Sequence, residues 1–236
     1  MTTPPLAKRL VAEGIGTAFL LAAIVGSGIM AERLSGGNVA LALLANALAT
    51  GAALVALILA FGAISGAHFN PAVSLADALQ HGIRYSEAAA YSAAQITGAY
   101  VGVALAHLMF RLPLYSPSQH IRSGPSQWLS EFIATFGLMA VIWGCSRVRT
   151  TAVPFAIAAY IVAAYWFTSS TSFANPAVTL ARAASDTFAG IRPVDAPPFI
   201  LAQFAGAAVA TVLFRWLLPA SPREAARVVV PHAERP

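Results

Sequence analysis

Charged side chains are scarce in this chain: Asp, Glu, Lys and Arg together make up 10% of its 236 residues. Water-soluble domains carry about 25%, so the chain stands far from that class. Cysteine is scarcer still. Cys145 is alone, and no internal disulfide can form. Metal patterns are missing too: no two of the five histidines have ligand spacing together with a third partner, so neither a metal nor another cofactor is read. The hydroxyl run Ser169-Ser170-Thr171-Ser172 has no adjacent base to activate it, which argues against an intramembrane enzyme.

Apolar residues fill the chain instead. They make up 58% of it, and the mean hydropathy is +0.71. Several runs approach the ~20 residues that span a bilayer's hydrocarbon. This predicts an all-α integral membrane protein with no separate soluble domain. The formal charge of +5 does not point to nucleic acid, because the arginines sit at the ends of apolar runs, where orientation is set. Lys8 and Arg9 followed by an apolar run resemble a signal peptide. The run is long, however, contains Glu13, and shows no small-residue cleavage site before Glu32-Arg33, so it reads as an uncleaved first span.

Six spans are predicted, at about 9–31, 39–63, 86–110, 128–144, 151–167 and 199–218. Two shorter helices are predicted at 71–79 and 176–184, each starting at an Asn-Pro-Ala tripeptide. The tripeptides are Asn70-Pro71-Ala72 and Asn175-Pro176-Ala177, 105 positions apart. Two more pairs support a repeat. Glu13-x-x-x-Thr17 answers Glu131-x-x-x-Thr135, and Gln95-x-x-Gly98 answers Gln203-x-x-Gly206. Each half has three spans, so the second inserts upside down relative to the first. The organisation is thus a single membrane channel domain over 1–236. Repeat 1 covers about 9–111, repeat 2 about 128–218, and a cytoplasmic tail 219–236. Lys8, Arg9, Arg84, Arg147, Arg149 and Arg215 share one side, which places both termini in the cytoplasm.

Proline suits the first position of a helix, where its missing N–H would be unpaired anyway, and asparagine is a good cap before it. Two such helix starts facing each other would make a positive zone at the midplane that repels cations. Irregular backbone is tolerated at that depth only where it lines a cavity or is buried in protein. Gly66-Ala67-His68 and Ser170-Thr171-Ser172 are therefore expected to line a water-filled path, with His68 a donor on its wall or else a packed imidazole. His107 reads as structural, and Gly14, Gly98 and Gly206 as close helix contacts.

These motifs together resemble the aquaporins, the major intrinsic protein family, over nearly the whole chain from Glu13 to about Arg215. The resemblance implies six helices with two re-entrant half-helices in an inverted 3+3 repeat. It also implies one pore per subunit, a homotetramer, and a place in a bacterial inner (plasma) membrane. It gives Glu13 and Glu131 the role of holding the re-entrant loops through their backbone N–H groups, against a reading of each as a proton relay. It further implies a selectivity filter at four positions: Thr50, Ala163, Ser172 and Val178. Water channels usually place an aromatic ring at the first, His at the second and Arg at the fourth. Here all four are small or medium and uncharged, which predicts a wider gate without its fixed positive charge. The missing filter arginine resembles a bacterial, arsenic-resistance-associated branch that passes arsenite and related arsenicals. The expected function is passive flux of small uncharged solutes: metalloid acids such as arsenite, with glycerol-like solutes and water.

Arg182 lies four residues after Val178, hence on the same face and about 6 Å farther along. It either presents a charge at the outer vestibule or pairs with Asp186 or with loop carbonyls. An ordinary water or glycerol channel is the nearest alternative. A coupled secondary transporter shares the inverted repeat and broken helices, but neither motif asparagine has an acid within five residues on either side.

Overall fold

The computed structural model describes residues 4–218. Its long helices are α1 (Leu6–Leu34), α2 (Val39–Ser65), α4 (Tyr85–Met109), α5 (Pro125–Val148), α6 (Val153–Phe167) and α8 (Ala196–Leu217). Its short helices are α3 (Pro71–Leu79) and α7 (Pro176–Arg182). Residues 219–236, read from the sequence as a tail, lie outside the described residues. Several long helices overrun their sequence bounds. Pro125, for example, takes the first position of α5 and starts it three residues before the expected 128.

Five of the six long helices are long and apolar enough to cross a membrane, α6 when the short 3-10 turn Thr150–Ala152 that leads into it is included. The sixth, α4, has the length (25 residues, about 37 Å) but carries polar groups. Two of those groups face inward: Gln95 and His107 are buried. His107 is held by the Pro113 carbonyl at 2.6 Å and the Ser185 hydroxyl at 2.8 Å. Outward faces show the opposite chemistry. Val11, Phe19, Leu129, Trp166, Leu201 and Val212 are all exposed, an arrangement that fits lipid rather than water.

The two halves interlock. Helix α1 packs on α2 and α4, and α5 on α6 and α8, within each half. Across the halves α2 meets α6, α3 packs against α8, and α4 against α7. Each short helix therefore leans on a long helix of the other repeat. Glycine permits the closest approaches: a Cβ on Gly98 would lie 2.1 Å from the Gly14 carbonyl oxygen, and one on Gly206 would lie 2.3 Å from that of Phe132. The neighbours are backbone and cannot swing aside. Gly206→Ala is expected to push α8 off α5 at a cost of about 1–3 kcal/mol, read as a lower melting temperature in detergent. An unchanged melting curve would show that this contact is loose.

Candidate functional site

Two non-helical strips precede the short helices, and their backbones match residue for residue. Positive φ values occur at Gly66, Ala67 and Phe69, and again at Thr171, Ser172 and Ala174, each pair 105 positions apart. Left-handed conformations at non-glycine residues cost about 1–3 kcal/mol each and persist only when their surroundings over-determine them. Here a buried carboxylate does so in each half. Glu13 accepts from the Ser65 hydroxyl (2.6 Å), the N–H groups of His68 (3.0 Å) and Phe69 (2.7 Å), and the Gln95 amide (2.7 Å). Glu131 accepts from the Ser170 hydroxyl (2.6 Å), the N–H groups of Phe173 and Ala174 (both 2.9 Å), and the Gln203 amide (2.6 Å).

The strips deliver two asparagines to one place. Asn70 Oδ1 accepts from the Ala72 N–H at 2.9 Å, and Asn175 Oδ1 from the Ala177 and Val178 N–H groups at 3.0 and 3.3 Å. Each side chain thus caps its own short helix. Each amide nitrogen also donates across the repeat boundary. Asn70 Nδ2 reaches the Ala174 carbonyl (2.8 Å), and Asn175 Nδ2 the Phe69 carbonyl (2.7 Å). An amide has two N–H groups, so one donor on each asparagine is left over. Both residues line a cavity of about 60 Å³, room for about four to six waters.

The cavity wall is mostly aliphatic, with Leu20, Ile24, Leu54 and Ile161 among its residues. Polar groups sit at a few points. Tyr165 and Thr50 share a hydrogen bond of 3.2 Å between their hydroxyl oxygens, and both line the cavity with Ser172 and Val178. Arg182 lines it too, 2% exposed. Its Nε donates to the Ala189 carbonyl, and its guanidinium lies 3.4 Å from the centroid of the Phe173 ring. A second guanidinium, on Arg122, stands 5.1 Å from the same ring. Its Nε donates to the Gly190 carbonyl (2.8 Å) and its Nη1 to the Ser170 carbonyl (3.0 Å). The Arg122 N–H is itself held by Asp195 at 3.0 Å. The positive field reaches the loop: burial, then the charges of Arg122 and Arg182, hold the His120 imidazole below its ordinary pKa. At the other end His68 faces the cavity, with Nδ1 3.1 Å from the Ser74 hydroxyl and Nε2 3.6 Å from Asp77.

The sequence model described as major intrinsic protein matches residues 1–162. The aquaglyceroporin AqpS of Rhizobium meliloti (strain 1021) is 56% identical over 218 residues, covering 92% of this chain and 93% of that protein. The chain belongs to the major intrinsic protein family. Aquaporin NIP3-1 of Arabidopsis thaliana is 33% identical over 190 residues, covering 75% of this chain and 58% of the plant protein. In fold, the chain is similar to the X-ray structure of the aquaglyceroporin from Plasmodium falciparum. The TM-score is 0.71 at 21% identity, with 91% of this chain and 98% of that one covered. A multi-pass membrane channel with the aquaporin fold follows, and members of this family are passive, non-enzymatic channels.

Against that fold, the residues singled out from the channel's sequence sort into three groups. Asn70, Asn175, Ala67, His68, Thr50, Ser172, Val178 and Arg182 meet around one cavity. Glu13 and Glu131 stand behind the strips; Gly66, Ser170 and Thr171 belong to the strips but are not among the cavity's lining residues, and Pro71, Ala72, Pro176 and Ala177 are buried in the short helices. Ala163 is a correction. It is exposed on the outer face of α6, and the cavity side of that helix carries Ile157, Ile161 and Tyr165. Arg182, set apart from the four filter positions by the sequence, lies in the same cavity wall. Arg182 does not pair with Asp186, whose carboxylate accepts from the Gln119 N–H at 2.9 Å. Sequence reasoning missed Tyr165, Phe173, Arg122 and Asp77. Only Asp77 had a signal, standing seven residues after Asn70 and so on the face of α3 that also carries Ser74.

Proposed function

We propose that the protein is a passive channel for small uncharged solutes, with neutral metalloid acids such as arsenous acid among them, alongside glycerol-like solutes and water. The observation that carries this reading is the cavity's mixed wall: aliphatic on most sides, with hydroxyl and N–H groups from Thr50, Tyr165, Ser172, Asn70 and Asn175 at intervals. Such a wall suits a solute with hydroxyls along one edge and little charge. Arsenous acid is neutral at pH 7 and resembles glycerol in size and hydroxyl pattern. The name of the Rhizobium relative, an aquaglyceroporin, supports the glycerol side of the reading. Glu13 and Glu131 act in this reading as the anchors of the two re-entrant strips, and Thr50, Tyr165, Ser172 and Val178 as the gate. Both termini lie in the cytoplasm of a bacterial cell, and the channel works as a homotetramer.

Light scattering from proteoliposomes tests this. Arsenous acid and glycerol gradients should collapse faster than in empty liposomes, as a water gradient does. A water-only response would reduce the protein to an ordinary water channel. One observation favours coupled transport instead: the Asp77 carboxylate beside His68 at the cavity wall. Arsenous acid flux should be indifferent to an imposed proton gradient; acceleration by that gradient would move the assignment to a coupled transporter.

A further inference from the structure

We propose that Arg182 is the charged arm of the channel's narrow zone, and that its Nη1 and the Ser172 hydroxyl together form a binding station for the oxygen atoms of a small, uncharged polyhydroxylated solute. The inference rests on the channel reading and adds to it the residues that hold and sort the solute.

The first support is direction. Helical side chains lean toward the N-terminus of their helix. The N-terminus of α7 is the Asn175 end, at the meeting of the two strips. Arg182 sits at the last position of α7, so its long side chain folds back toward the cavity rather than out into the loop. The second is rigidity. The Nε bond to the Ala189 carbonyl and the Phe173 face beneath the guanidinium fix its orientation. Phe173 is in turn braced edge-on by Phe199, ring centroids 5.4 Å apart.

The third support is what these contacts leave over. Arg182 Nη1 and Ser172 Oγ are both buried without a hydrogen-bond partner among the described residues, and both residues line the same cavity. Buried polar atoms in native structures are almost always paired. Two orphans on one cavity wall are explained if their partner is what passes through. The fourth is charge. No salt bridge involves Arg182 among the described residues, and a second guanidinium, that of Arg122, stands over the same Phe173 ring. A fixed, unneutralised charge at a constriction is a barrier to cations, while its N–H groups remain good donors to neutral oxygens. Val178 leaves room beside it, so the guanidinium is offered one helical turn along α7.

The test uses the full-length protein in liposomes, with Arg182→Leu, Arg182→Lys and Ser172→Ala compared with the parent. Water flux is followed at rising glycerol concentration, and uptake of methylammonium is followed separately. Glycerol held at the station blocks water in the same file. Both Arg182→Leu and Ser172→Ala should raise the glycerol concentration that halves water flux, by about tenfold and about threefold respectively. Arg182→Leu should also admit methylammonium, and Arg182→Lys should still exclude it. A water-conducting Arg182→Leu channel that competes with glycerol and excludes methylammonium as the parent does overturns the proposal. If Arg182→Leu fails to fold, Ser172→Ala decides, and unchanged glycerol competition there overturns it equally. A parent protein that passes no solute would remove the channel reading beneath; a conducting parent with indifferent variants removes this inference alone.

Discussion

Glu131→Ala is expected to abolish water and solute flux and to lower the melting temperature in detergent by about 10 °C. The substitution deletes the acceptor of four buried donors: the Ser170 hydroxyl, the Phe173 and Ala174 N–H groups and the Gln203 amide. Removing one partner of a buried charged network costs on the order of 3–5 kcal/mol, because the other groups stay buried and unpaired. Function suffers more than stability. Glu131 ties down the strip on both sides of the left-handed Ser172, at Ser170 and at Phe173 and Ala174, and that backbone presents the Ala174 carbonyl to Asn70. A relaxed strip would therefore pull both asparagines out of register. Glu131→Gln retains one carbonyl acceptor but turns an NH2 group toward other donors, so it should fall between parent and alanine. Wild-type water flux and melting in Glu131→Ala would mean the strip is held by packing alone.

The repeat was legible because its side-chain types recur. Two Asn-Pro-Ala copies, two glutamates and two glutamines can be paired by eye, and the backbone follows with the same 105-residue offset. The face of α6 was not legible. Helix α2 runs to Ser65, five residues before Asn70, whereas α6 stops at Phe167, eight before Asn175. Position 163 corresponds by the repeat to Ile58, which does line the cavity. Three extra residues out of helix in the second half change the rotational phase, so the same count lands on lipid. Counting from a motif carries helical phase only while the chain stays helical. Arg182 raised a different difficulty. Its place on the Val178 face followed from the spacing of four, but where the guanidinium ends depends on the lean of the side chain and on the Phe173 ring. Spacing contains neither.

Val178→Arg is expected to cut glycerol and arsenous acid flux at least about tenfold while leaving water flux within about twofold of the parent. Val178 is 2% exposed and lines the cavity between the asparagines and Arg182. An arginine there would lean toward Asn175, into the narrow part of the file, with its charge one turn from that of Arg182. Like charges at this spacing cost only about 0.2–0.5 kcal/mol, so folding should survive and the change should be read in flux. Two guanidiniums in series would occupy the width that a three-hydroxyl solute needs, whereas a single water requires less. Val178→Ala supplies the opposite direction: more room, Arg182 untouched, and solute flux at or above the parent's. Equal glycerol and arsenous acid flux in Val178→Arg and the parent would place the size limit elsewhere, at the Tyr165–Thr50 pair. If instead solute passage stops in Val178→Arg but cation exclusion is the same in both, width and charge are set by different residues: Val178 for the first, and Arg182 for the second.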